Sequence, residues 1–191
     1  PTPFSQDQYN KLARALVNHA TGPIVTFNGA GFDFRLLAEH VDNLELKRKL
    51  VYTVVYNHVD IMMDFLCSTG YFASLDSFLK GTDLSAKIWS GDKSAELCLT
   101  SDAFFKKTIE YCKSDVAALE QLEDHVAAHA CLWRTTKAGK KQPWTPFHDT
   151  KFRHVHECIK AWRAHPVDTS WMDTPGPTPD TCLGWVASAL T

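Results

Sequence analysis

The sequence has no C-x-x-C pair: its six cysteines stand far apart, at 67, 98, 112, 131, 158 and 182. That spacing argues against a disulfide framework and reads as free thiols in a reducing, cytoplasmic compartment. No apolar run approaches the roughly 18 residues needed to span a bilayer, and no signal-peptide pattern is present. Charge of either sign is nearly balanced. A net charge of −2 and a pI near 6.5 leave no global basic field, so any contact with nucleic acid must rest on a local patch. There is no internal repeat. The chain also opens at Pro1 without a Met, and we expect a segment to precede it.

What is present suits an ordinary globular chain. With 191 residues, 45% of them hydrophobic and 22% charged, the protein can bury a proper core, and the composition argues against disorder. Ser5 to Ala20 reads as a helix: Ser5 and Gln8 have capping-box spacing, and Tyr9, Leu12, Ala13, Leu16, Val17 and Ala20 share one face. Ile24 to Phe27 is a short buried strand, and a helix should follow from about Phe32. Residues 51 to 63, rich in Val and Tyr, predict another strand ending near "HVDIMM", then a helix capped by Asp60 or Asp64. Ser74 opens a short helix, residues 81 to 100 are irregular, and the longest helix runs from about Asp102 to Ala128. Its apolar positions (Phe105, Ile109, Cys112, Val116, Leu119, Leu122, Val126) predict one continuous buried stripe. "RTTKAGKKQPWTP" reads as a basic linker, followed by helices at about 150 to 164 and 182 to 190. Alternating helices and short strands make the fold α/β. The expected division is a partial core over 1–131 and a linker with a helical extension over 132–191, packed on that core.

Two stretches carry chemistry. In "VTFNGAGFDFRLL", residues 25 to 37, an apolar run breaks at Asn28, passes two glycines and delivers Asp33 at the end of a strand, where open α/β sheets place ligands. On spacing alone, Asp33 is equally a helix N-cap. In "YCKSD", Tyr111 and Asp115 share one helix face about 6 Å apart along the axis. They flank the core stripe, which fits a helix margin as well as a cleft. Two aspartates converging from a strand end and a helix could hold divalent metal through oxygen. Such ions support phosphodiester cleavage, with a phenol orienting the water.

Together the two stretches resemble the second and third motifs of the DEDD exonucleases, N-x-x-x-F-D and, in its tyrosine form, Y-x-x-x-D. The intervening "HVDIMMDFL" and "SLDSFL" are similar to segments of predicted 3′–5′ exonucleases related to the proofreading domain of family B polymerases. The resemblance spans about residues 5 to 130. It implies an RNase H-like fold for that span, which the helical C-terminal extension then follows, and a metal-dependent nuclease (a hydrolase) acting on DNA 3′ ends. It implies Asp33 and Asp115 as ligands of Mg²⁺ or Mn²⁺, Tyr111 positioning the attacking water, and Asn28 and Phe32 contacting the substrate. The family's first motif, D-x-E, occurs nowhere in the 191 residues, so the fold is expected without its first strands. The alternative is an inactive relative that binds nucleic acid or a protein partner.

Other features read more plainly. Asp60 is a helix cap rather than a ligand, and Lys87 and Gly91 belong to a solvated loop. His148, His154, His156 and Cys158 suggest zinc by composition, but they lie along an amphipathic helix without a second cysteine pair. Trp133, Trp144, Trp162, Trp171 and Trp185 are assigned to packing, and Lys137, Lys140 and Lys141 to a solvated loop.

Overall fold

A computed structural model describes residues 4–18, 22–84, 101–146, 150–174 and 176–189. The chain is mixed α/β and mostly helical, with two small sheets among the described residues. It divides into two compact units, one of Phe4–Ala73 with Phe152–Thr191 and one built on Ser74–Thr145. Among the described residues no helix is long and apolar enough to cross a membrane, and Cys67, Cys112, Cys131, Cys158 and Cys182 are free thiols.

In the first unit, helix α1 spans Gln6–Asn18. Its start is tied as the spacing predicts: Ser5 N–H donates to Gln8 Oε1 at 2.7 Å and Gln8 N–H to Ser5 Oγ at 3.4 Å. Ala13 is buried and Tyr9, Leu16 and Val17 pack beside it, whereas Leu12, expected on that face, is exposed. Strand β1 (Ile24–Thr26) leads through a tight turn into α2 (Asp33–His40) and α3 (Leu44–Tyr56). The chain then returns as β2 (His58–Asp60), parallel to β1 with Thr26 opposite Asp60. The strand expected over 51 to 63 is thus mostly helix. Leu46, Leu50 and Val54 recur every four residues and are buried, and Asn43 caps the helix by accepting the Leu46 N–H at 2.8 Å. Helical periodicity outweighs the β-preference of the individual Val and Tyr residues.

Helix α4 (Ile61–Thr69) follows β2 directly and is almost wholly buried. It ends at Gly70, which takes a left-handed φ of 81°; a side chain there would also meet Thr169 Cγ2 at 2.4 Å. Helices α7 (Val155–Ala164) and α8 (Pro179–Ser188) complete this unit. Val155 and Cys158 enter the core, with Ile159, Trp162, Cys182, Leu183 and Trp185 packed against it. Trp171 instead lies exposed, its ring edge-on to Tyr71. Just before α7, His154 bridges β2 at Val59, and Arg153 reaches a fully buried Asp64 on α4.

In the second unit, β3 (Leu132–Thr135) forms a hairpin with β4 (Lys141–Trp144) and packs against both α5 (Leu75–Gly81), capped by Ser74, and α6 (Asp102–His129). The "linker" is therefore in part a hairpin: Leu132 pairs with Trp144 across it, and Gly139, at φ 75°, makes its turn. Phe78, Leu79, Leu122, Val126, Leu132 and Trp144 are buried here. The predicted stripe on α6 departs from expectation over its first half, where Phe105, Ile109, Cys112 and Val116 are exposed.

Gly81 sits so close to β3 that an added Cβ would fall 2.4 Å from both Arg134 Cα and Trp133 O. Because both neighbours are backbone, neither can rotate away. Gly81→Ala should therefore cost about 1–3 kcal/mol, as overpacking of a filled core does. A urea midpoint equal to the parent's would refute this contact.

Candidate active site

The parallel pairing brings the carboxyl ends of β1 and β2 side by side, and two aspartates meet very different fates there. Asp60 is buried, and its oxygens are consumed by backbone. Oδ1 accepts N–H groups from Asn28 (2.8 Å), Met62 (3.0 Å) and Met63 (3.2 Å), and Oδ2 accepts that of Ala30 (2.9 Å). One carboxylate thus caps α4 and fastens the turn after β1, as expected of a cap rather than a ligand. Burial raises its pKa, opposed by those four donors.

The turn is held from its other sides as well. Gly29 N–H donates to Thr26 Oγ1 at 3.1 Å, and the same hydroxyl lies 2.7 Å from His58 Nε2. Burial above all pushes the His58 imidazole down to about 4, helped by the neighbouring His154 and opposed by the nearby Val54 backbone, so it is neutral near pH 7. Trp185 Nε1 donates to Ala30 O at 2.9 Å. The left-handed residue of the turn is Asn28, at φ 67°, not a glycine. Gly29 is needed for close approach instead: a Cβ would fall 2.4 Å from Thr26 Oγ1 and 2.7 Å from Thr26 Cβ.

This fixed turn presents Phe32 and Asp33 outward. Phe32 is 63% exposed, while Phe34, two residues on, is buried edge-on to His58. Asp33 is the first residue of α2; the N-cap position falls to Phe32, which makes no side-chain cap bond. Asp33 is therefore not the cap that spacing allowed. It is solvent-exposed, yet desolvation on its protein side, and then the charge of Asp60, raise its carboxyl above the ordinary range; a backbone hydrogen bond of its own opposes this.

Tyr111 and Asp115 lie one turn apart on α6, both half-buried. The structure thus gathers Asn28, Phe32 and Asp33 in one unit, and Tyr111 with Asp115 in the other. Among the described residues no three His, Cys, Asp or Glu side chains are arranged to hold a metal ion. Lys87, Gly91 and His148 lie outside the described residues. The His154 and His156 rings are 5.9 Å apart, but the Cys158 thiol is buried, its pKa pushed well up, first by that burial. Lys137 and Lys140 are exposed at the hairpin, and Lys141 pairs with Asp83.

Sequence reasoning did not give Thr26, His58 and Trp185 their part in holding the turn, which becomes visible only once β1, β2 and α8 are assembled. No protein-family model, curated protein or solved structure matches the chain.

Proposed function

We propose that this chain is part of a metal-dependent 3′–5′ exonuclease of RNase H-like fold, acting on single-stranded DNA ends. The observation that carries the reading is the contrast between the two strand-end aspartates. Asp60 is spent on the fold, whereas Asp33 is held beside it by a rigid turn with no side chain among the described residues bonded to it. An exposed carboxylate on so well-fixed a support suits a ligand for a hard cation. In this reading Asp33 would be a ligand of Mg²⁺ or Mn²⁺, which when bound activates water and stabilises the leaving oxygen of the phosphodiester, and Asp115 would be a ligand as its motif implies. Tyr111 orients that water through its phenol. Exposed Phe32 meets a terminal base, which stacks on aromatic surface irrespective of sequence. Asn28 shapes the turn and lies beside the strand.

The test uses the product of the whole gene, with a 5′-labelled single-stranded oligonucleotide. Stepwise shortening from the 3′ end should require Mg²⁺ or Mn²⁺. Asp33→Ala and Asp115→Ala should each slow it by more than about 10²-fold, since losing even a partner behind a metal ligand costs about 10–100-fold. Tyr111→Phe should cost less, because the phenol holds no metal. An Asp115→Ala enzyme as fast as its parent would refute the mechanism. A protein that binds DNA yet shortens no 3′ end would favour the inactive relative.

A further inference from the structure

Helices α3 and α7 pack against each other in the first unit, and a stripe of aromatic and basic side chains crosses both. On α3, Arg48, Tyr52 and Tyr56 follow at four-residue steps, so they share one face about 6 Å apart along the axis. Tyr52 is 63% exposed and Tyr56 51%, with their ring centroids 4.9 Å apart. Tyr56 in turn lies 5.1 Å from the ring of His156, near the start of α7. His156 Nδ1 donates to Val55 O at 3.3 Å, which holds that ring against α3. Lys160 and Arg163, four and seven residues further on, continue the stripe along α7. Beside it opens a cleft of about 680 Å³, lined by Tyr56, His156, Lys160 and Arg163 together with apolar Ile159 and Leu183.

We propose that this stripe binds single-stranded nucleic acid, with bases stacked on Tyr52, Tyr56 and His156 and phosphates met by Arg48 and Lys160. Exposed aromatic rings between cationic side chains are what a single strand needs, because each base offers a face to stack and each phosphate a charge to neutralise. Arg48 and Lys160 are exposed and have no partner among the described residues. Each helix carries one acidic residue, and each is engaged: Glu45 by Lys49 at 2.8 Å, Glu157 by the His154 N–H at 2.9 Å. Arg163 is held by Asp180 at 2.7 Å, but both are exposed, so that pair is weak and can exchange for a phosphate. Charge also decides against a second copy as the occupant. Docked through the same stripe, it would set Arg48 and Lys160 against cations of its own. The stripe includes none of Asn28, Phe32 and Asp33 and calls for no metal. It would therefore hold a strand whether the chain cleaves DNA or not.

The test is fluorescence anisotropy of a 5′-labelled single-stranded oligonucleotide titrated with the 191-residue chain in EDTA, where no metal-dependent cleavage can enter. The single strand should bind at least about tenfold more tightly than its duplex, which hides the base faces. Tyr52→Ala and Tyr56→Ala should each weaken binding by about fivefold or more, and Tyr56→Phe by less than about twofold, because the ring and not the hydroxyl stacks. Arg48→Ala and Lys160→Ala should each lower the slope of log affinity against log salt by about 0.7, the contribution of one phosphate contact on a single strand. Lys11→Ala, an exposed lysine on α1, should leave the slope as it is. The substituted tyrosines are exposed, so an unchanged far-ultraviolet circular dichroism spectrum should accompany each loss. No binding by the parent, equal affinity for duplex, or undiminished affinity in both alanine variants of the tyrosines would overturn the proposal. So would a parent that ignores the strand but dimerises, with the dimer lost in Tyr52→Ala, since the stripe would then belong to a second copy. None of these outcomes touches cleavage, which the Asp33 and Asp115 variants test separately.

Discussion

Arg153→Met should destabilise the protein by about 3–5 kcal/mol, a large share of the roughly 5–15 kcal/mol that holds a domain folded. Arg153 and Asp64 are both buried, their side chains 5% and 0% exposed. The Asp64 carboxylate takes the Arg153 backbone N–H at 2.9 Å on Oδ2 and the guanidinium Nη2 at 3.4 Å on Oδ1. Removing the guanidinium leaves a buried negative charge without its counter-charge, and that cost dwarfs the modest net worth of the intact pair. The pair also ties the segment before α7 to α4, so its loss should loosen α7 and its buried Val155 and Cys158. Adding Asp64→Asn should recover part of the loss, because the amide oxygen keeps an acceptor for the Arg153 N–H while the charge disappears. Urea midpoints of the parent, the single and the double variant supply the measurement. A single variant as stable as its parent, or a double variant less stable than the single, would show that the charge is not what matters.

Local signals in the sequence translated well where one residue does one local job. Ser5, Ser74 and Asp60 stand where helices begin, and each caps the helix that follows. The reading failed where the same residues admit two periods. "VYTVVY" satisfies β-preference residue by residue, yet Leu46, Leu50 and Val54 bury only as a helix, and the Asn43 cap was the overlooked cue. The hairpin at 132–144 was hidden by Pro143, which demotes a strand, although a proline on a two-stranded hairpin leaves no inner ladder bond unmade. On α6, spacing alone could not say where the buried stripe stops. Leu122 and Val126 are buried while Phe105, Ile109, Cys112 and Val116 remain exposed, and only partners decide that.

The candidate site was legible in part for the same reason. Asp33 and the break at Asn28 could be picked out in the linear sequence. The glycines misdirected the explanation of the turn: the left-handed position belongs to Asn28, and Gly29 is constrained by Thr26. What makes the turn rigid comes from β2 and α8, more than 25 residues away in sequence, and no local pattern announces it.

That rigidity should depend on pH through His58. The imidazole is fully buried between β1 and α2, facing Thr26 on one strand and Phe34 on the helix, with His154 nearby and Asp60 two residues on. In the unfolded chain it titrates near 6.5, and in the fold near 4. Between those values the unfolded state binds the extra proton, so stability is full above about pH 6.5 and falls as pH drops toward 4. The gap corresponds to a loss of about 3 kcal/mol attributable to this one group. Urea midpoints from pH 7.5 to 4 should fall more steeply for the parent than for His58→Gln, which is weaker at neutral pH but has no proton to gain there. Comparing slopes rather than absolute stabilities removes the contributions of Asp33 and the other carboxylates, which both proteins share. Because His58 bears on Thr26 and Thr26 on Gly29, the turn presenting Asp33 should loosen in the same range. Amide exchange at Gly29 should therefore accelerate in the parent below pH 6, relative to exchange in α5, after correction for the intrinsic pH dependence of exchange. Equal slopes in the two proteins would mean that His58 does not carry the acid sensitivity.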